Sequence, residues 1–139
     1  AAQSVDRFID RELEKYSLTP DRLALVGFSQ GTMMALHVGL RRGEQIGAVL
    51  GFSGVLVGAR NLKEQMRPKP PVLLVHGDRD PTIPMPAMFD TAEALAAAGH
   101  GAMWHMSYGV AHAIGPDGLA LGGEFLSRHL KTQKIMVGP

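Results

Sequence analysis

The sequence has no cysteine. That absence removes thiol catalysis, cysteine-ligated zinc, iron–sulfur clusters and any disulfide framework together. It leaves the redox compartment open, because a chain without thiols fits either side of a membrane. An excess of charge is lacking as well. Lys and Arg number 14 against 13 Asp and Glu, for a formal net charge of +1, and the positive residues stand singly or in pairs such as Arg41 and Arg42. No broad basic surface for nucleic acid is expected from that pattern. Long hydrophobic runs are missing too, since Gly or a polar residue interrupts each one well short of the roughly 20 residues of a membrane helix. The first residues carry no signal-peptide layout, and there is no repeat or low-complexity segment. What is present is a 139-residue chain with 45% hydrophobic residues, the composition of one soluble globular domain. Such a domain buries roughly two thirds of its unfolded surface, so no metal or disulfide staple is required for folding.

Hydrophobic spacing divides the chain into alternating elements. Residues 5–16 place Val5, Phe8, Ile9, Leu13 and Tyr16 on one side and seven charged residues on the other, the pattern of an amphipathic helix. Residues 23–28 read LALVGF, a short apolar run of the kind buried on both faces of a parallel sheet. A buried helix over 30–42 follows, ended by Gly43. Residues 46–52 and 72–76 predict the second and third strands, separated by a polar, Pro-rich excursion over 58–71. A helix over 85–98 presents Met85, Met88, Phe89, Ala92 and Leu95, and residues 102–108 predict a fourth strand. The last helix, over 119–131, is read on the spacing Leu119, Gly122, Leu126 and Leu130, with Gly122 and Gly123 each weakening it by about 1 kcal/mol relative to Ala. Strands alternating with helices predict an α/β fold of about four mostly parallel strands with flanking helices.

The segment Gly27-Phe28-Ser29-Gln30-Gly31 falls where the first strand ends and a helix begins. A serine bracketed by glycines at such a junction occupies a sharp, strained turn that holds its hydroxyl exposed, and the small flanking residues let strand and helix backbones approach. The backbone N–H of Gln30 then lies at a helix N-terminus, where free amides and the helix dipole stabilise the oxyanion of an acyl tetrahedral intermediate. A nucleophilic serine requires a base, and the base an orienting carboxylate. After the third strand, His76-Gly77-Asp78-Arg79-Asp80-Pro81 offers two acids. Asp80 is preferred because Pro81-Thr82-Ile83-Pro84 fixes a rigid turn behind it, with Asp78 placed to support that turn. Of the six histidines, His37 and His129 fall in helices, His100 in a turn and His105 mid-strand. His76 precedes the acid loop and is expected to bond to backbone there. His112, in the loop after the fourth strand, stands where a base belongs.

His76, Asp78 and Asp80 alternate as ligands on one strand face would, and a His with two carboxylates can hold a divalent cation. Gly77 and Pro81 mark that strand as already ended, so no metal is expected. The methionines read as core filler, with Met33 and Met85 close to the loops that carry the candidate residues.

The sequence resembles the carboxylesterase/phospholipase family of α/β-hydrolases, the group that includes bacterial carboxylesterases, lysophospholipases and acyl-protein thioesterases. The resemblance is carried by GFSQG at 27–31 with the apolar helix behind it, FSG at 52–54, HGDRDPTIP at 76–84 and GVAH at 109–112. The chain order Ser29, Asp80, His112 is that of an α/β-hydrolase. The resemblance implies Ser29 as nucleophile, His112 as general base and then acid, Asp80 as its partner and Gln30 as one oxyanion donor, with Val55, Leu56 and Ile83 bordering an acyl site. It implies hydrolysis of a carboxylic ester through an acyl-enzyme without a cofactor, acting on a small-molecule ester or lipid-like substrate. Cleavage of a thioester or lysophospholipid by the same triad, and a non-catalytic hydrolase-like domain, are the alternatives. The family usually has a Gly nearer the catalytic histidine than Gly109. It also has several strands ahead of the nucleophile turn, where this sequence has one helix. Residues 1–139 are accordingly expected to be a single, partial domain, the C-terminal part of the fold, with the N-terminal strands of the family absent. The first strand would then have an unpaired edge, open to a missing N-terminal segment or to self-association. Nothing about targeting follows from Ala1, and the cytoplasm is the default compartment.

Overall fold

The computed structural model describes residues 1–66 and 69–130. In chain order the elements are helix α1 (Ala2–Lys15), strand β1 (Ala24–Phe28), helix α2 (Gln30–Gly39), strand β2 (Ala48–Phe52), short helix α3 (Leu62–Gln65), strand β3 (Val72–Gly77), helix α4 (Pro86–Ala97), strand β4 (Met103–Ser107) and helix α5 (Pro116–His129). The four strands form one sheet in the order β1-β2-β3-β4, and every neighbouring pair is parallel. All four strands therefore end on the same rim, and the loops that follow them share one side of the molecule.

The central strands β2 and β3 are buried on both faces because they carry apolar residues at successive positions. Val49, Val72 and Leu74 face Leu36, Leu40, Met88 and Leu95 from the α2 and α4 side. Ala48, Leu50, Phe52, Leu73 and Val75 face Phe125 of α5 on the other. Helix α1 lies on α2, and Arg42 just beyond α2 ties it down through Asp6 (2.7 Å) and Asp10 (2.6 Å). No helix among the described residues is long and apolar enough to cross a membrane.

Three expectations are corrected. The LALVGF run is not buried on both faces: Val26 is 55% and Phe28 39% exposed. These two share a face with Leu50 and Phe52, which α5 covers as it lies over β2, β3 and β4, while edge strand β1 sits at the margin of that cover. The last helix begins at Pro116, because Pro at the first helical position needs no N–H partner. Its buried residues are Gly118, Gly122 and Phe125, with Leu126 packed against the same cluster, so the expected side holds at Gly122 and Leu126 but not at Leu119, which is 65% exposed. A Cβ on Gly118 would come within 2.8 Å of Val75 Cγ1, and one on Gly122 within 2.9 Å of Leu50 Cδ2. These glycines let helix and sheet approach closely. Lys131, the expected end of that helix, lies outside the described residues. Finally, the polar excursion over 58–71 contains α3, whose Leu62 plugs the main core.

Candidate active site

The turn between β1 and α2 forces Ser29 into a left-handed backbone conformation, φ 56° and ψ −114°. A non-glycine residue there costs on the order of 1–3 kcal/mol and persists only when its surroundings hold it. Here they do. Ser29 N–H donates to the Phe52 carbonyl (2.9 Å), and the Ser29 carbonyl accepts from Thr32 N–H (3.0 Å) and Met33 N–H (3.3 Å). Thr32 Oγ1 donates to the same Phe52 carbonyl (2.8 Å), tying α2 to β2. The two bracketing glycines have different roles. A Cβ on Gly27 would lie 2.3 Å from the Gly31 carbonyl group, so this position admits no side chain, whereas a Cβ on Gly31 meets nothing within 4 Å. Close approach is required of the first glycine alone.

The register places a second serine beside the first. Phe28 pairs with Phe52, and Ser53 follows with the same left-handed φ, 51°. Ser53 is only 1% exposed and its hydroxyl is without a hydrogen-bond partner. Ser29 is part-exposed and its Oγ lies 3.1 Å from His112 Nε2. Of these two serines, Ser29 alone is part-exposed and has an imidazole within hydrogen-bond distance.

The opposite ring nitrogen, His112 Nδ1, lies 2.7 Å from Asp80 Oδ2. Asp80 has no exposed side-chain surface, and His112 keeps 21%. The other carboxylate oxygen, Oδ1, accepts from the N–H groups of Thr82 (2.8 Å) and Ile83 (2.9 Å). Burial works against charge on Asp80, but the bond to His112 and the two backbone bonds outweigh it and hold the carboxyl below its ordinary range. The carboxylate is thus ionised, fixed in orientation and aimed at the imidazole. Phe28 closes the opposite flank, its ring centroid 4.9 Å from that of His112.

The loop that carries His112 is stitched to the loop that carries Asp80. Asp78 N–H donates to Ser107 O (3.1 Å), Arg79 N–H to Val110 O (3.0 Å) and Gly109 N–H to Asp78 Oδ1 (2.6 Å). Asp78 thus ties the two loops together rather than bracing the turn over 81–84, whose N–H groups bond Asp80 instead, and it is Asp80 that reaches the His112 imidazole. Among the described residues no group of three or more His, Cys, Asp or Glu side chains is arranged to hold a metal ion.

Gln30 opens α2, so its N–H is one of the helix's first four, which have no acceptor within the helix. Among the residues expected to border an acyl site, Val55 and Ile83 are part-exposed. Leu56 is buried in the main core, and its N–H donates to Thr91 Oγ1 (2.9 Å). Met33 and Met85 are both partly buried. One polar pair has no forerunner in the sequence reading. His105 Nε2 lies 2.6 Å from Asp117 Oδ2, which holds the Asp117 carboxyl below its ordinary range and fastens the start of α5 to β4. Only the strand register of His105 and the first-turn place of Asp117 could have hinted at it.

Residues 1–130 match the family described as Phospholipase/Carboxylesterase. The chain is 31% identical over 127 residues to acyl-protein thioesterase 1 of Gibberella zeae, covering 88% of this chain and 54% of that protein. It is 27% identical over 128 residues to acyl-protein thioesterase 1 of Neurospora crassa, covering 88% and 51%. The crystal structure of esterase PE8 superposes with a TM-score of 0.87 at 38% identity, covering 93% of this chain and 62% of that one. SOBER1 of Arabidopsis thaliana, at 24% identity and a TM-score of 0.86 over 94% of this chain and 63% of that one, shares the fold. The chain spans about half the length of these curated relatives.

Proposed function

The chain belongs to the phospholipase/carboxylesterase family of α/β-hydrolases, and from that premise we propose that the protein hydrolyses carboxylic esters, with Ser29, His112 and Asp80 as a catalytic triad. The supporting observation is the continuous path from Ser29 Oγ through the His112 ring to Asp80 Oδ2. Ser29 Oγ attacks the ester carbonyl carbon while His112 Nε2 takes its proton. The carbonyl π electrons move to oxygen, and the Gln30 N–H receives that oxyanion at the start of α2. Collapse breaks the C–O bond, His112 returns the proton to the departing alcohol, and the acyl group stays on Ser29. Water, deprotonated by His112, repeats the sequence and releases the acid. Asp80 keeps Nδ1 protonated and stabilises the imidazolium without itself taking the proton.

Val55 and Ile83, part-exposed near the rim, are read as bordering the acyl group. The open edge of β1 is read as the place where another strand pairs, from elsewhere in the protein or from a second copy. A thioester substrate is the second reading, favoured by the names of the relatives, several of which are acyl-protein thioesterases; the acyl chemistry is the same and only the leaving group differs. The test is labelling of the whole polypeptide by a fluorophosphonate, which reacts only with an activated serine. Labelling and turnover of p-nitrophenyl esters are expected to vanish in Ser29→Ala. Either one surviving refutes the triad. Turnover of an acyl-thioester beside p-nitrophenyl esters of increasing chain length separates the two substrate classes.

A further inference from the structure

One buried polar side chain next to the triad has no part in the mechanism above. His76, the penultimate residue of β3, is 1% exposed. Its side chain shares the sheet face of Val72 and Leu74, beneath the loop that leads into α4. Nε2 lies 2.7 Å from the Ile83 carbonyl oxygen. A carbonyl can only accept, so Nε2 carries the hydrogen and the tautomer is fixed. The same Nε2 is 3.4 Å from Asp80 Oδ2, the oxygen that His112 Nδ1 reaches at 2.7 Å. Ile83 is held at both ends of its main chain: its N–H donates to Asp80 Oδ1 and its carbonyl accepts from His76. The three residues close a ring of contacts around the carboxylate, with both side chains essentially sealed from solvent.

We propose that His76 is a positioning residue of the triad, its Nε2–H gripping the Ile83 carbonyl so that Asp80 presents Oδ2, and only Oδ2, to His112. The proposal rests on reading Ser29, His112 and Asp80 as the triad. Oδ1 is held by two backbone N–H groups from residues 82 and 83, and those groups stay in place only while the turn does. His76 is the side chain that anchors the far end of that turn to the sheet. Without its N–H the Ile83 carbonyl is buried unpaired, which costs enough to make the turn move, and Asp80 moves with it. A histidine present only to fill the core would have its ring volume as its contribution. An apolar residue of similar size would then serve as well.

The experiment compares His76→Leu, which fills space without donating, with His76→Gln, whose amide N–H reaches the place of Nε2. Displacing a catalytic group by about 1 Å costs on the order of 10²-fold, so His76→Leu is expected to lower kcat by about that factor with KM unchanged. His76→Gln is expected to recover most of the loss. The far-downfield proton resonance of the His112–Asp80 hydrogen bond is expected in the unsubstituted protein and in His76→Gln, and to disappear in His76→Leu. Nitrogen NMR of the unsubstituted protein is expected to find His76 as the Nε2–H tautomer, a measurement that needs no variant to fold. The proposal is overturned by the Nδ1–H tautomer, by a His76→Leu protein that keeps kcat and the downfield proton, or by a folded His76→Gln as impaired as His76→Leu. If Ser29→Ala leaves hydrolysis intact, the triad reading fails, while the tautomer and the downfield proton still report separately whether His76 places Asp80.

Discussion

Replacing Gly77 by Ala adds one methyl group at the point where the acid's strand meets the base's loop. The Cβ would lie 2.1 Å from the Val110 carbonyl oxygen, 2.5 Å from that of Ala111 and 2.7 Å from the Val110 carbonyl carbon. All three are backbone atoms, so no side chain can rotate out of the way. Relief requires the loop to retreat by about 1 Å, since nonbonded carbon and oxygen atoms settle well beyond 3 Å. Val110 and Ala111 lead directly into His112, and the retreat breaks the Arg79 N–H bond to Val110 and draws the imidazole off Ser29 Oγ. Overpacking of this kind costs about 1–3 kcal/mol of stability, and a base displaced by that distance costs on the order of 10² in kcat. Turnover of p-nitrophenyl acetate and urea denaturation measured on the same Gly77→Ala preparation test both parts. A folded variant with undiminished kcat would mean that the two loops are not rigidly coupled, and the positional account of the site would fall.

Asp80→Asn is expected to lower kcat by about 10³- to 10⁴-fold, because the amide no longer favours the required His112 tautomer. Its effect on stability depends on pH. The native Asp80 carboxyl titrates below its ordinary value of 3.8, so the unfolded state binds more protons between the two values and stability rises with pH there. The contribution of Asp80 is complete above the ordinary value and is lost as pH falls through the native one, so urea denaturation from pH 5 to 3 should show a flatter acid limb in Asp80→Asn. In α5, Gly122→Ala is expected to destabilise by about 1–3 kcal/mol through its collision with Leu50 and Phe52. Gly123→Ala, where a Cβ meets nothing within 4 Å, should stabilise by about 1 kcal/mol; equal effects at the two positions would refute the close-packing account.

The order of elements was legible because each strand is a short apolar run and each helix keeps an apolar side, and the site was legible because its three residues follow three strand ends. Periodicity carries no information on neighbours. LALVGF reads the same whether its strand lies inside a sheet or at its margin; the resemblance placed it at an edge, but not that α5 stops short of it and leaves Val26 and Phe28 exposed. On α5 the expected side was right at Gly122 and Leu126 and wrong at Leu119, and Gly118 was passed over because glycine carries no apolar signal, whereas its missing side chain is what the packing requires. Leu56 was placed near a ligand only because the family resemblance implies it for the residues after Phe52-Ser53-Gly54. The side chain in fact turns inward to the core, where Thr91 fixes its main chain. The bonds that stitch Asp78, Arg79 and Gly109 together join segments about thirty residues apart and depend on strand order, which hydrophobic pattern does not encode.

The 83 positions that separate Ser29 from His112 also bear on when the proposed triad can assemble. Contacts between such distant stretches form late, after the chain has paid the entropy of closing the intervening loops. In N-to-C synthesis the Ser29 turn leaves the ribosome well before the His112 imidazole is made. On the proposed triad, the hydroxyl would gain its base only once β4 has docked and carried the loop of His112 to the rim.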